Sequence, residues 1–246
     1  MSVGYDGCRF VDLTPSGDGV ARLHRFYEGL YVREFPDPDE REALENMTYY
    51  LQHDGEHGNA YIVTLVYDDG AGGEAVAGAV CDYFERSQCG AIEFLAVAPR
   101  LRRRGIGRAL ASHVERRMAR AASERAAQLT LVMAEINDPL VVPATSDNVD
   151  PFERLRFWDR LGYRRVDFRY VQPALSPAQA PVTTLLLAAK PVDETLSCSV
   201  PSAKVVAFLE DYLVYAMRFE DPAASPEFRA MRDDLVARAT VRLTSL

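Results

Sequence analysis

The sequence predicts an α/β protein built on a mixed sheet, and three observations carry that expectation. Apolar runs of strand length recur along the chain, about seven in all. Between them lie segments with apolar residues every three or four positions, the spacing of amphipathic helices. One run, residues 92–98, leads into a basic glycine turn, a helix pattern and then a further apolar run over 129–136. That order is a strand–helix–strand crossover. At 246 residues the chain can bury a sizeable core.

Composition narrows the class. Apolar residues make up 48% and charged residues 26%, as in a soluble globular protein. A net charge of −8 argues against general nucleic-acid binding, so the arginines at 100–108 form a local site on an acidic protein. Cys8, Cys81, Cys89 and Cys198 have neither zinc-like spacing nor the density of a disulfide scaffold, and read as reduced thiols. His24, His53, His57 and His113 show no metal spacing. The chain opens on no signal peptide and holds no apolar run long enough to span a bilayer, so the expectation is a cytoplasmic protein without metal, nucleic-acid or membrane partner.

Taken in order, residues 8–13 fit a first strand closed by the turn Thr14-Pro15-Ser16-Gly17. Asp18 is placed to cap a helix running to Tyr31, with Val20, Leu23, Phe26 and Leu30 on its apolar side. Pro38 and the acids after it predict the start of a second helix, which carries Leu44, Met47, Tyr50 and Leu51. Residues 60–67 and 75–84 read as a hairpin across the turn-rich DDGAGGE, with 91–97 as the next strand. After Asn137 a Pro-, Asp- and Ser-rich stretch over 138–151 reads as a long loop. A short helix with Phe152, Leu155, Phe157, Trp158 and Leu161 ends at Gly162. Residues 163–171 and 182–189 read as the last two strands, joined by QPALSPAQAP. Beyond Leu196, two amphipathic helices are expected, the second from Pro226 to about Ala239. They need a surface to cover: the main domain, a homodimer interface or an acceptor-site wall.

The stretch IEFLAVAPRLRRRGIGRALA, residues 92–111, concentrates the chemistry. Pro99 ends the strand because it has no N–H to donate. Gly105 and Gly107 stand where a helix must begin, and Ile106, Leu110, Val114 and Met118 follow at helical spacing. The first turn of a helix leaves about four N–H groups unpaired, and its dipole places roughly half a positive charge there. Glycines let a phosphate approach those donors. Arg102, Arg103, Arg104 and Arg108 add fixed positive charge suited to a pyrophosphate. The turn lacks the Gly-Lys-Ser/Thr ending of the nucleotide phosphate loop and the third glycine of the dinucleotide fingerprint.

Arg102-x-x-Gly105-x-Gly107, flanked by LAVAP and GRAL, resembles the acetyl-CoA signature of the GNAT acyltransferase superfamily, and RFWDRLGYRR is similar to that family's F-Y-x-x-L-G-F segment. The resemblance covers roughly residues 8–191. It implies a mixed, mostly antiparallel sheet of about seven strands flanked by helices, in a domain over 1–195 with a two-helix extension over 196–246. It implies an N-acyltransferase that moves an acetyl group from acetyl-CoA to the primary amine of a small molecule or peptide, by direct transfer in a ternary complex. Leu95, Ala96, Val97, Arg102, Arg103, Arg104, Gly105, Ile106, Gly107, Arg108, Ala109, Asn137 and Trp158 then fall at cofactor-binding positions.

Amine acylation needs a base, because a lysine-like amine lies about 3.4 units above pH 7, roughly 4.6 kcal/mol from its neutral form. Glu93, which interrupts the strand before the turn, is the first candidate, and family members often carry a carboxylate there. A structural ion pair explains it equally well. Glu135 on the following strand is the second, with a salt bridge as the competing role. Trp158 stands where the family usually has a tyrosine that protonates the leaving thiolate; indole has only an N–H donor and cannot serve as that acid. This departure leaves open a sensor or regulatory module that binds CoA without turnover.

Overall fold

The computed structural model describes residues 7–38, 41–55, 58–68, 73–142, 149–174 and 179–246. His57, part of the DDGAGGE turn, residues 143–148 of the long loop and 175–178 of QPALSPAQAP lie outside the described residues. The chain divides into two compact units, Met1–Tyr83 with Ile92–Ala126, and Phe84–Ala91 with Ala127–Leu246. The architecture is mixed α/β, with mostly antiparallel strands flanked by helices. Among the described residues no helix is long and apolar enough to cross a membrane.

The first unit contains β1 (Cys8–Asp12), α1 (Gly19–Phe26), a π turn (Tyr27–Tyr31), α2 (Val32–Glu34) and α3 (Leu44–Gln52). Then come β2 (Asn59–Asp68), β3 (Ala75–Phe84), β4 (Cys89–Val97) and α4 (Ile106–Glu124). The first three residues of β4 fall in the second unit. The strands are hydrogen-bonded in the order β1-β2-β3-β4, with β1 antiparallel to β2 from Cys8↔Asp68 to Asp12↔Thr64. Nine of the ten residues of β2 are buried, as expected for a strand covered on both faces. One face packs Tyr61, Val63 and Leu65 with Leu23, Phe26, Met47 and Leu51 from α1 and α3. Gly78 of β3 is required at that contact: a Cβ there would stand 2.5 Å from Phe26 Cε2 and 2.9 Å from Leu65 Cδ2.

Two expectations about this unit are corrected. Asp18 does not cap α1; its backbone (φ −97°, ψ 10°) is outside the extended region a cap needs, and its carboxylate accepts from Arg22 Nε at 2.7 Å instead. The second helix does not start near Pro38 but at Leu44. Residues 39–40 of its predicted first turn lie outside the described residues; after them the Glu42 N–H donates to the Tyr31 hydroxyl at 2.9 Å, while Tyr27 donates to the Glu42 carbonyl at 3.2 Å. Both tyrosines come from the π turn, where their rings stack at 5.0 Å.

The second unit contains β5 (Leu131–Asn137), α5 (Pro151–Arg160), β6 (Arg164–Val166), β7 (Leu185–Pro191) and β8 (Ser199–Pro201). It ends with α6 (Ser202–Asp211), a second π turn (Tyr212–Ala216), α7 (Pro226–Val236) and β9 (Thr240–Thr244). Its strands run in the order β5-β7-β6-β9-β8, every pair antiparallel. The described residues hold nine strands, more than the seven expected, because the tail adds β8 and β9. The second tail helix therefore stops at Val236, and Arg242 and Val241 pair with Ser199 and Val200. The strand expected over 163–171 keeps only Arg164–Val166; beyond it the Asp167 N–H donates to the Arg242 carbonyl at 3.0 Å, and Gln172 and Val182 form an isolated bridge.

The tail supplies much of this unit's core: Val205, Phe208, Leu209, Tyr212, Phe228, Met231 and Leu235 cluster with Phe84, Leu131, Met133 and Leu187. Asp211, 2% exposed, fastens it by accepting from Arg86 Nε at 2.7 Å and from the Ser87 N–H at 2.9 Å. Lys204 donates to the Ser87 carbonyl at 2.9 Å. Asp211→Ala strands the buried Ser87 N–H, whereas Arg86 can still reach water. A loss of about 1–3 kcal/mol is expected in urea unfolding, with Arg86→Ala milder. In the first unit, Gly78→Val forces a side chain into occupied space and is expected to cost at least about 1–3 kcal/mol by the same measurement.

Candidate active site

In the first unit, β4 ends at Val97 and α4 begins at Ile106, and the chain must reverse between them. Pro99–Leu101 form one 3-10 turn, and Leu101, 6% exposed, anchors it in the core. The remaining change of direction is taken up by two left-handed residues, Arg103 (φ 63°) and Gly105 (φ 83°). Gly105 is the N-cap of α4, where left-handed backbone without a Cβ is unstrained. Arg103 has no such freedom, and such conformations outside glycine concentrate at ligand-contacting turns.

The arginines divide by role. Arg102 turns inward: its Nε donates to the Val97 carbonyl at 3.0 Å and its guanidinium pairs with the Glu34 carboxylate of α2. It ties the end of the strand to the turn and to the helix opposite. Arg103, Arg104 and Arg108 are exposed, beside the start of α4. The amides of Ile106, Gly107 and Arg108 have no acceptor within the helix, whose ladder begins with Ala109 donating to Gly105 at 3.0 Å. Amide donors, a missing Cβ and surrounding guanidinium groups fit the pyrophosphate of a CoA thioester. Leu95, Ala96 and Val97 complete β4 immediately before the turn.

Glu93 is half-buried on β4, and the residue it meets was not among the sequence candidates. Asp82 of β3, 1% exposed, hydrogen-bonds to Glu93 and accepts from Asn59 Nδ2 at 2.8 Å. Burial pushes the Asp82 carboxyl from 3.8 up to about 7, although the bonds to Glu93 and Asn59 favour its charged form. The carboxylates of Asp54 and Glu42 raise it further. Tyr31 and Tyr61 are buried in the same unit, and burial, then neighbouring negative charges including that of Glu93, holds both hydroxyls well above the ordinary tyrosine value. The Tyr61 hydroxyl has no hydrogen-bond partner among the described residues. The signal for Asp82 was present in the sequence as one acid inside AVAGAVCDYF, an otherwise apolar strand.

In the second unit, Glu135 on β5 accepts from the Tyr212 hydroxyl at 2.9 Å and from the Tyr170 hydroxyl. Burial, then the Glu135 charge, holds the Tyr170 hydroxyl well above its usual value. Tyr212 belongs to the C-terminal segment, so this partner was invisible to local patterns. Asn137 is the last residue of β5. Trp158, 7% exposed on α5, lies edge-to-face on Tyr163 at 4.8 Å. Its helix is set by Asp150, which accepts from the Glu153 N–H at 3.0 Å, and by Gly162 (φ 90°) past its end. Among the described residues no group of three or more His, Cys, Asp or Glu is placed to hold a metal ion.

A buried acid with a raised value holds its proton in the native state after the unfolded chain has released it. Its contribution to stability is therefore complete below about 4 and is lost as pH rises towards 7. The loss is roughly 1.4 kcal/mol per pH unit across that window. Asp82→Asn keeps the shape and removes this titration. In thermal melts from pH 4 to 8 it is expected to gain stability relative to the wild type as pH rises, with the difference levelling above about 7.

Comparison with known proteins agrees with the geometry. Residues 20–140 match the sequence model of the Acetyltransferase (GNAT) family. A GNAT-family protein from Bacteroides thetaiotaomicron superposes with a TM-score of 0.58 at 19% identity, covering 84% of this chain and 98% of that one. A GNAT-family protein from Desulfovibrio desulfuricans gives 0.50 at 17% identity, covering 75% and 99%. A tandem GNAT protein from the clavulanic acid biosynthesis pathway also gives 0.50, at 20% identity, covering 67% and 46%. No curated protein sequence matches the chain. The family match over residues 20–140, which spans the basic glycine turn after β4, shows that the chain carries a GNAT-family acetyltransferase domain, a family whose general activity is acyl transfer.

Proposed function

We propose that this protein is an acetyl-CoA-dependent N-acyltransferase that acetylates a primary amine of a small molecule or peptide by direct transfer in a ternary complex. The carrying observation is the turn from Arg102 to Arg108, where Gly105 in left-handed conformation opens the amides of Ile106, Gly107 and Arg108 to a pyrophosphate. Acetyl-CoA supplies an acyl group on a good leaving group, a thiolate of ordinary pKa near 8.5. Arg103, Arg104 and Arg108 contribute positive charge to its phosphates, and Arg102, tied to Val97 and Glu34, keeps the turn in place. The family resemblance adds Leu95, Ala96, Val97, Ala109, Asn137 and Trp158 as contacts for the rest of the molecule. It also supports residues 1–195 as the acyltransferase domain and 196–246 as an extension.

Glu93 takes one proton from the acceptor's ammonium group, directly or through water, and the freed lone pair attacks the acyl carbon. The nitrogen gives up its second proton to solvent as the carbon–sulfur bond breaks, and the thiolate takes a proton from solvent, since Trp158 has none to give. Both hydroxyls on Glu135, those of Tyr170 and Tyr212, are engaged, which favours a structural role for that carboxylate over that of a second base. Trp158 also motivates a second reading, a CoA-binding regulatory module without turnover. Steady CoA release from acetyl-CoA and a panel of primary amines separates the two: turnover with at least one amine is expected, and tight binding with no release would favour the module.

Gly105→Val places a β-branched side chain at φ 83° and over the amides. It is expected to abolish acetyl-CoA binding by calorimetry, at a cost of about 1–2 kcal/mol in stability. Glu93→Gln is expected to lower turnover by roughly 10²–10⁴ with little change in acetyl-CoA affinity. Near-normal turnover in a folded Glu93→Gln protein would remove Glu93 as the essential base.

A further inference from the structure

We propose that the acceptor is an aryl-alkyl primary amine with no carboxylate beside the nitrogen: its ring packs against Phe35 and Phe94, and its ammonium group lies near Glu42 and Glu93. This rests on the acyltransferase reading with Glu93 as base, and it names the substrate class of that site.

Tyr31 organises this part of the first unit. It closes the first π turn, a helical irregularity that recurs at functional sites, and it is fully buried. Around it the rings of Tyr27, Phe35 and Phe94 stand at 5.0, 5.2 and 4.9 Å, and Phe35 meets Phe94 edge-to-face at 5.1 Å. Phe35 and Phe94 are only partly buried, at the margin of the core cluster that includes Tyr31. A further ring laid on that pair gains edge-on or offset contacts that a short alkyl chain does not. Phe94 directly follows Glu93 on β4, and neighbours on a strand ordinarily face opposite ways. Glu93 nonetheless reaches the same side: its charge acts on the Tyr31 and Tyr61 hydroxyls, both in the cluster against which Phe94 packs. Tyr31 also fixes a second acid. Its hydroxyl accepts from the Glu42 N–H at 2.9 Å, Tyr27 donates to the Glu42 carbonyl at 3.2 Å, and Asn46 Nδ2 donates to the Glu42 carboxylate.

The charges that meet around Tyr31 are mostly negative. Glu42 and Glu93 both act on its hydroxyl, and Asp82 adds to them at Tyr61. Among the cations of these segments, Arg102 pairs with Glu34, Arg41 acts on Tyr27 and Arg33 is exposed. An ammonium group is drawn to such surroundings, whereas a carboxylate on the adjacent carbon meets like charges. The amine is therefore selected twice, by a ring at one end and by the lack of a carboxylate at the other. Phenethylamine has both properties. n-Butylamine lacks the ring, phenylalanine adds the carboxylate, and phenylalaninamide keeps the shape of phenylalanine without that charge.

The test measures kcat/KM of the full chain with acetyl-CoA and these four amines. Phenethylamine is expected to exceed n-butylamine by roughly tenfold or more, and phenylalanine by at least as much. Phenylalaninamide is expected to recover most of the second loss, which assigns it to charge and not to bulk. In Phe35→Leu the ratio of phenethylamine to n-butylamine is expected to fall by at least about threefold, with the ratio of phenethylamine to phenylalanine retained. In Glu42→Gln the second ratio falls and the first is retained. Turnover of n-butylamine or phenylalanine as efficient as that of phenethylamine, or a ratio unmoved in its own folded variant, overturns the proposal and leaves the acyltransferase reading standing. Where no amine turns over, calorimetry with phenethylamine and phenylalanine in excess CoA decides. Binding of phenethylamine but not of phenylalanine, weakened in Phe35→Leu, supports the site and counts only against acyl transfer; no binding of phenethylamine overturns both.

Discussion

Between Val97 and Ile106 the backbone leaves an extended strand, turns and enters a helix, and the rest of the first unit is arranged around that reversal. Most residues of such a reversal can stay in the common backbone regions. Here the departure is confined to Arg103 and Gly105. The strain is held in place by its surroundings: Leu101 buried below, the Ala98 N–H on the Val76 carbonyl at 2.8 Å, and Arg102 clamped between Val97 and Glu34. The result is a helix start that presents amide donors on the surface of an acidic protein. One arginine of the cluster is spent on rigidity, and the others remain at the surface.

A second constraint is the placement of carboxyls in a sheet covered on both faces. Asp82 and Glu93 sit on neighbouring strands whose other residues are almost all apolar. In water each would be an ordinary carboxylate. Inside, burial raises the Asp82 carboxyl to about 7, so it keeps its proton well above the range of an ordinary aspartate. Glu135 shows the other outcome for a carboxylate on a buried strand: two tyrosine hydroxyls donate to it. These are two solutions to one desolvation problem, and they differ in whether a titratable proton is left near neutral pH.

In the second unit, a chain of small elements is made into a core by its own C-terminal end. α6 and α7 bring Phe208, Leu209, Phe228 and Leu235 onto β5 and β7 side chains, and β9 enters the sheet between β6 and β8. Asp211 serves as the fastening point because the Ser87 N–H needs an acceptor and Arg86 a counter-charge.

The sequence by itself determined the elements whose signals are local. Apolar runs marked β2, β3, β4, β5 and β7, the glycine spacing marked the turn and the start of α4, and Gly162 marked the end of α5. The family resemblance followed from the same contiguous motif, since amide donors, glycines and arginines for a pyrophosphate must lie within one turn of chain. Glu93 was legible because it interrupts an apolar run. What only tertiary structure decided involves partners distant in sequence. The helix expected from about Pro38 starts at Leu44, and Glu42 before it bonds to tyrosine hydroxyls from the π turn, because a backbone group takes whichever acceptor or donor the fold places nearest. The end of the tail became strand β9 because β6 and β8 offered edges to pair with. Asp82 acquired its raised carboxyl value only when pairing set β3 between Asn59 on β2 and Glu93 on β4, since a carboxyl's protonation is fixed by what surrounds it in space and not by its neighbours along the chain.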